Sequence, residues 1–184
     1  MTKIKKSDIA LISCLVALIV VTRTVLHIGE NIEFVTAAAI TAGYFLQQKR
    51  YAVWATLFGL IISDTLIGNT MIFLFTWSGF LAAPLLGMVL SKINFNKKKL
   101  SSTIVTAEAM GIISTMVFFL WTNFGVVLTT NMYAKTADGL VQSYINALPF
   151  LRNQLIGNLI FVPVIFIAVD LIKNAYMHRN MHME

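Results

Sequence analysis

Arg23, His27, Glu30, Asn31, Glu33, Asp64, Asn69, Asn123, Arg152, Asn153, Gln154 and Asn158 interrupt an otherwise apolar chain, gathering toward one set of ends of its long hydrophobic runs. Charged and amide side chains are costly to place in lipid and usually face a cavity or a partner, so this grouping predicts a polar pocket open on one side of a membrane. The chemistry such residues offer is recognition: guanidinium and carboxylate charge, and amides that donate and accept at once. Trp77, Trp121, Phe124, Tyr133, Tyr144 and Phe150 fall near the same face, where they could stack on a flat ligand or form an interfacial aromatic belt. His27 with Glu30 also has the composition of a proton relay, although a contact at the membrane rim accounts for the pair more simply. No His-Glu-x-x-His, Gly-x-Ser-x-Gly or phosphate-binding glycine-rich loop occurs, nor a His/Cys cluster for a metal. The reading is therefore of a non-enzyme without a cofactor, whose energy for any pumping comes from another protein or an ion gradient.

The elements that position these residues follow from composition. Of 184 residues 58% are hydrophobic and 12% charged, with a mean hydropathy of +0.78, which excludes a water-soluble globule. A spanning helix needs about 20 apolar residues. Six runs are predicted, at about 9–28, 33–46, 51–67, 71–91, 102–121 and 151–172, in a single integral membrane domain covering 1–184. The second and third are short for a hydrocarbon core about 30 Å thick, so their ends must be buried in protein or line a recess. The N-terminus has the charge pattern of a signal peptide, but Val21-Thr22-Arg23-Thr24-Val25 offers no small-x-small cleavage site, so it reads as an uncleaved first helix.

The net charge of +6 reads as membrane sidedness rather than nucleic-acid binding. With the N-terminus inside, Lys3, Lys5, Lys6, Lys49, Arg50, Lys92, Lys97, Lys98, Lys99, Lys173 and Arg179 are cytoplasmic, and only Arg23, Lys135 and Arg152 lie toward the other face. Both termini are then cytoplasmic, in a multi-pass protein of the cell membrane. The long connection 122–150 is expected to be structured on the outer side. Leu140, Val141, Tyr144, Ile145 and Leu148 recur at helical spacing, predicting an amphipathic helix on the outer rim, with Pro149 breaking it from the last span.

Small residues recur every four positions in Gly79-x-x-x-Ala83-x-x-x-Gly87, Ala39-x-x-x-Gly43, Ala55-x-x-x-Gly59, Ala107-x-x-x-Gly111 and Ser13-x-x-x-Ala17. In lipid such rows let helix backbones approach, either within this chain or, on the first helix, toward another subunit. The only cysteine, Cys14, excludes an intramolecular disulfide and reads as a small packing residue.

The run Thr122-Asn123-Phe124-Gly125-Val126-Val127-Leu128, followed by Tyr133-Ala134-Lys135-Thr136, Gly139-Leu140, Tyr144 and Ala147-Leu148-Pro149-Phe150-Leu151-Arg152-Asn153, together with Ser63-Asp64-x-x-Ile67-Gly68, resembles the hallmarks of a family. That family comprises small bacterial and archaeal membrane proteins similar to the substrate-binding S components of energy-coupling factor (ECF) transporters. The resemblance spans about 31–172. It implies an all-α fold of six transmembrane helices with both termini cytoplasmic, and an outward-facing pocket closed by loops. It further implies a vitamin or similar micronutrient as substrate, and as partners a transmembrane coupling protein and ATPase subunits, the ligand being released inward by toppling. The Ala-x-x-x-Ala docking pattern of such proteins is present only as Ser13-x-x-x-Ala17 with Ala10 one turn earlier. Cobalamin is one substrate within that range, though Cys14 lies in the wrong half of the first helix to ligate its cobalt; a flat heterocycle suits the Asn, Gln and aromatic content.

The combined expectation is a substrate-capture subunit with Asp64, Asn123, Tyr133, Arg152 and Asn153 in the pocket, and with His27, Glu30 and Trp121 as further candidates. Arg152 and Asp64 would fix the ligand's polar groups, Asn123 and Asn153 supply amide hydrogen bonds, and Tyr133 close over a ring. Ala10, Ser13 and Ala17 would form the docking face. The alternative is a self-sufficient proton-coupled carrier or channel using His27, Glu30 and Asp64.

Overall fold

The computed structural model describes residues 4–26, 31–68, 70–93 and 99–181. His27, Glu30, Asn69, Lys3, Lys97 and Lys98 lie outside the described residues. Among the described residues the fold is all helical: α1 (Lys6–Thr24), α2 (Val35–Phe45), α3 (Arg50–Ile67), α4 (Phe73–Phe80), α5 (Ala82–Ile93), α6 (Leu100–Thr129) and α7 (Ala137–Met181). Five helical segments are long and apolar enough to cross a membrane, with α4 and α5 counted as one. Large apolar side chains on their outer surfaces are exposed, among them Trp54, Leu66, Val105 and Ile172. In water that would be a liability; in lipid it is the ordinary solvent contact. The chain is an all-α, multi-pass membrane protein.

Helix α2 is the exception and the centre. Its 11 residues cover only about 17 Å, and every residue from Val35 to Gly43 is buried. It packs against α1, α3, α5, α6 and α7. The sequence Val-Thr-Ala-Ala-Ala-Ile-Thr-Ala-Gly allows this, because side chains so small let the surrounding backbones close in. The tightest approach is to α5: a Cβ on Gly43 would overlap the Pro84 carbonyl, and one on Gly87 would overlap the Ile40 carbonyl. Between α4 and α5 the chain kinks at Leu81, since Pro84 has no N–H to offer the Phe80 carbonyl.

A helix this short leaves its terminal carbonyls deep in the protein, where they need donors. Lys49 Nζ donates to the Gly43 and Tyr44 carbonyls at 2.9 and 2.8 Å, and Lys173 Nζ to the Phe45 carbonyl at 2.7 Å. Burial, and then the neighbouring Lys173 charge, push the Lys49 pKa down from 10.5 to about 8, against an opposing pull from Asp8. The recess expected at the ends of the short second span is thus filled by lysines at its C-terminus.

The connection 122–150 is not a loop with a separate rim helix. Helix α6 runs on to Thr129 and α7 starts at Ala137, so only 130–136 connect them, and α7 continues through both Pro149 and Pro163. The face of α7 that packs there is made of small residues. Gly139, Ser143 and Ala147 are buried, whereas Val141, Ile145 and Leu148 are exposed. Helix α7 continues across Pro149 while Ser143 packs on Asn123 of α6, and the missing proline N–H costs one backbone bond. Cys14 departs from expectation too: it is exposed on α1 rather than packed inside.

The small-residue rows divide cleanly. Gly79, Ala83 and Gly87, Ala39 and Gly43, Ala55 and Gly59, and Ala107 and Gly111 are all buried, so they serve packing within the chain. Ala10, Ser13 and Ala17 are exposed.

Candidate functional site

At the end of the bundle opposite Lys49, Arg23 on the last turn of α1 is drawn into the protein, its side chain only 8% exposed. Its three nitrogens are all engaged: Nε donates to Ser63 Oγ at 2.9 Å, Nη1 to Glu33 Oε2 at 2.7 Å and Nη2 to Asp64 Oδ1 at 2.6 Å. Trp77 Nε1 donates to the second Asp64 oxygen at 2.6 Å. These bonds tie α1, the start of α2, α3 and α4 together, with Glu33 just ahead of the α2 N-terminus, where a carboxylate is favoured by the helix dipole. Arg23 is therefore a buried, doubly paired cation and does not snorkel.

Above this cluster lies a cavity of about 330 Å³ between α4, α6 and the first half of α7. Arg23, Asn31 and Glu33 form one side of it, and Thr76, Thr122, Asn123, Tyr133, Ser143, Asn146 and Gln154 supply polar groups around it. Phe80, Phe118, Phe119 and Phe150 make the apolar walls. Asn31 adopts φ 60°, a left-handed conformation that Asn tolerates better than most residues, at the point where the chain turns into α2 beside the cavity.

Several of these groups are set by their neighbours. Asn123 Nδ2 donates to the Phe119 carbonyl of its own helix at 2.8 Å, which leaves Oδ1 as the acceptor, approached by Ser143 Oγ at 3.4 Å. Tyr133 Oη accepts from Asn146 Nδ2 at 3.2 Å and keeps its own proton to donate. Gln154 is 7% exposed and lines the cavity, yet its amide has no hydrogen-bond partner among the described residues. An amide that opens on the cavity offers a bound ligand both a donor and an acceptor.

Of the residues singled out from sequence, Asn123 and Tyr133 line the cavity, and Asp64 lies beneath it with both carboxylate oxygens occupied. Arg152 is exposed on α7, and neither it nor Asn153 is among the lining residues. Arg152 and Asp64 are thus not brought together, and the cation beside Asp64 is Arg23. Trp121 sits on the outside of α6, donating to Ser78 Oγ at 2.8 Å in a shallow apolar groove with Val117, Leu120, Phe124 and Tyr144. His27 and Glu30 lie outside the described residues. Arg23, Glu33 and Gln154 belong to the polar group that the sequence gathers but not to the pocket residues named from it, and Ser143 belongs to neither. The signal for the last two is spacing: Gly139, Ser143 and Ala147 mark the packed face of α7, and Leu151 and Gln154 continue it.

Among the described residues no group of three His, Cys, Asp or Glu side chains is placed to hold a metal. No curated protein and no solved structure matches the chain. A family does match, over residues 3–180, so the chain is a member of a family of unknown function, DUF6580.

Proposed function

We propose that this protein is the substrate-capturing component of an ECF-type importer, with the cavity beside Arg23 as its receptor site. The observation that carries the reading is the cavity itself: aromatic walls, with amides and hydroxyls converging on it, the Gln154 amide among them. Its volume stands at the low end of ligand pockets, which run from about 300 to 1,000 Å³. It suits a small vitamin or single heterocycle.

Sidedness agrees with this use. Lys5, Lys6, Lys49, Arg50, Lys92, Lys99 and Lys173 belong to the end away from the cavity, and the positive-inside rule makes that end cytoplasmic. The cavity then faces outward in the cell membrane, both termini are inside, and α2 acts as a sixth, shortened span. The exposed Ala10, Ser13 and Ala17 face of α1 is the surface on which a transmembrane coupling protein would pack, ATPase subunits following behind it.

Reconstitution alone in liposomes tests the mechanism. A capture component binds its compound saturably and accumulates none of it when a proton gradient is imposed. Sustained gradient-driven uptake without a partner would establish the self-sufficient carrier instead.

A further inference from the structure

The charges around the cavity narrow the chemistry of what it binds. Among the described residues its lining contains one cation, Arg23, and one carboxylate, Glu33, with Asp64 immediately beneath. Arg23 is shared between both carboxylates and Ser63, so it is pinned and neutralised and cannot turn to receive an anion. Among the described residues one positive charge faces two negative ones here, and Glu33 is the carboxylate that reaches the surface of the cavity. Its side chain is 26% exposed, Oε2 is held by Arg23, and Oε1 accepts nothing from the described residues.

The remaining groups favour the same sign. Asn123 Oδ1, approached by Ser143 Oγ at 3.4 Å, has a second lone pair for a donor, Gln154 supplies a further amide oxygen as well as its N–H group, and Phe80, Phe118, Phe119, Phe150 and Tyr133 line the cavity with aromatic rings, which attract cations. A carboxylate or phosphate entering here would meet the unpaired Glu33 oxygen in a partly desolvated site, where like charges repel strongly.

Building on the receptor reading, we infer that the cavity takes a small planar cation with N–H donors, such as an amidinium or a protonated aminoheterocycle, held through Glu33 Oε1. Acids and phosphate esters of the same size are excluded.

Three probes of one shape test it: benzamidinium, benzamide and benzoate, each titrated into the full-length protein in detergent by calorimetry, with melting temperature as a second readout. A charge-assisted hydrogen bond is about 1 kcal/mol stronger than a neutral one, so benzamidinium is expected to bind about fivefold more tightly than benzamide. Benzoate is expected to bind weakest. Glu33→Gln, which keeps an acceptor for Arg23, erases the advantage of the cation; Glu33→Asp retains it. Benzoate binding as well as benzamidinium, an advantage that survives Glu33→Gln, or no binding by any probe would each overturn the inference. A vitamin-like anion whose binding depends on Asn123 and Gln154 would overturn it too while leaving the receptor reading intact, so the two fail separately.

Discussion

The two ends of α2 are built on opposite principles. At its C-terminus, ammonium groups of Lys49 and Lys173 close off the last carbonyls, and the neighbouring α2 and α5 backbones touch through Gly43 and Gly87. At its N-terminus the ionic cluster is equally well bonded, but the space above it is open and lined with groups that still have hydrogen bonds to make. Both ends complement the helix dipole, with cations at the carbonyl end and a carboxylate at the amide end. The difference teaches that charge at the Lys49 end completes the fold, whereas charge at the Arg23 end is arranged with a remainder. A remainder is what a binding site needs and a purely structural cluster does not.

Breaking the closed end should have the largest effect. Gly87→Leu forces a side chain into the Ile40 backbone, which cannot yield as a flexible side chain could, and a loss of more than about 4 kcal/mol is expected. The check is the yield of monodisperse protein in mild detergent, where a wild-type elution profile would show that α2 and α5 do not meet as described. Next comes Arg23→Ala, which strands Asp64 and Glu33 together with no cation between them, at a cost of about 3–5 kcal/mol. Adding Asp64→Asn should recover part of the lost melting temperature. If the double substitution is no better than the single one, the cluster is not the linked unit drawn here.

At the open end the same size of chemical change should spare the fold and fall on binding. Asn123→Ala and Gln154→Ala are each expected to weaken ligand binding about tenfold, one neutral hydrogen bond apiece, with little change in melting temperature. Arg152→Ala should do neither, since that side chain is exposed and does not line the cavity. The smallest effect is in pH. Because the folded-state pKa of Lys49 lies near 8 and its ordinary value is 10.5, the folded protein carries the cost of a charged, half-buried lysine below pH 8. Stability should therefore rise as pH climbs from about 8 toward 10.5, by roughly 1–2 °C in melting temperature given partial solvent screening, and Lys49→Met should flatten that rise.

What the sequence made legible divides along the same line. Hydropathy alone locates the helical runs, because lipid rewards uninterrupted apolar stretches, and the bounds of α3 and of the kinked α4–α5 segment agree with it to within a few residues. The long helix α7 was not legible. Pro149 reads as a stop in isolation, yet the helix continues past it, with Gly139 packed on Ala134 and Ser143 on Asn123 of α6 just ahead of it. In the site, Asn123 and Tyr133 stand out by type and position. The partnership of Arg23 with Asp64, 41 positions away, is a property of how α1 and α3 cross, and no local pattern distinguishes Arg23 from Arg152 as the cation that Asp64 requires.

The central claim, that the cavity beside Arg23 is a receptor site, is tested most directly by the melting temperature of the purified protein against a panel of vitamins and small heterocycles. The wild type and the Asn123→Ala/Gln154→Ala double variant should be run side by side. The account predicts at least one compound that raises the melting temperature of the wild type and loses that effect in the double variant, while the two proteins unliganded melt alike. No stabilising compound, or one that stabilises both proteins equally, would contradict it.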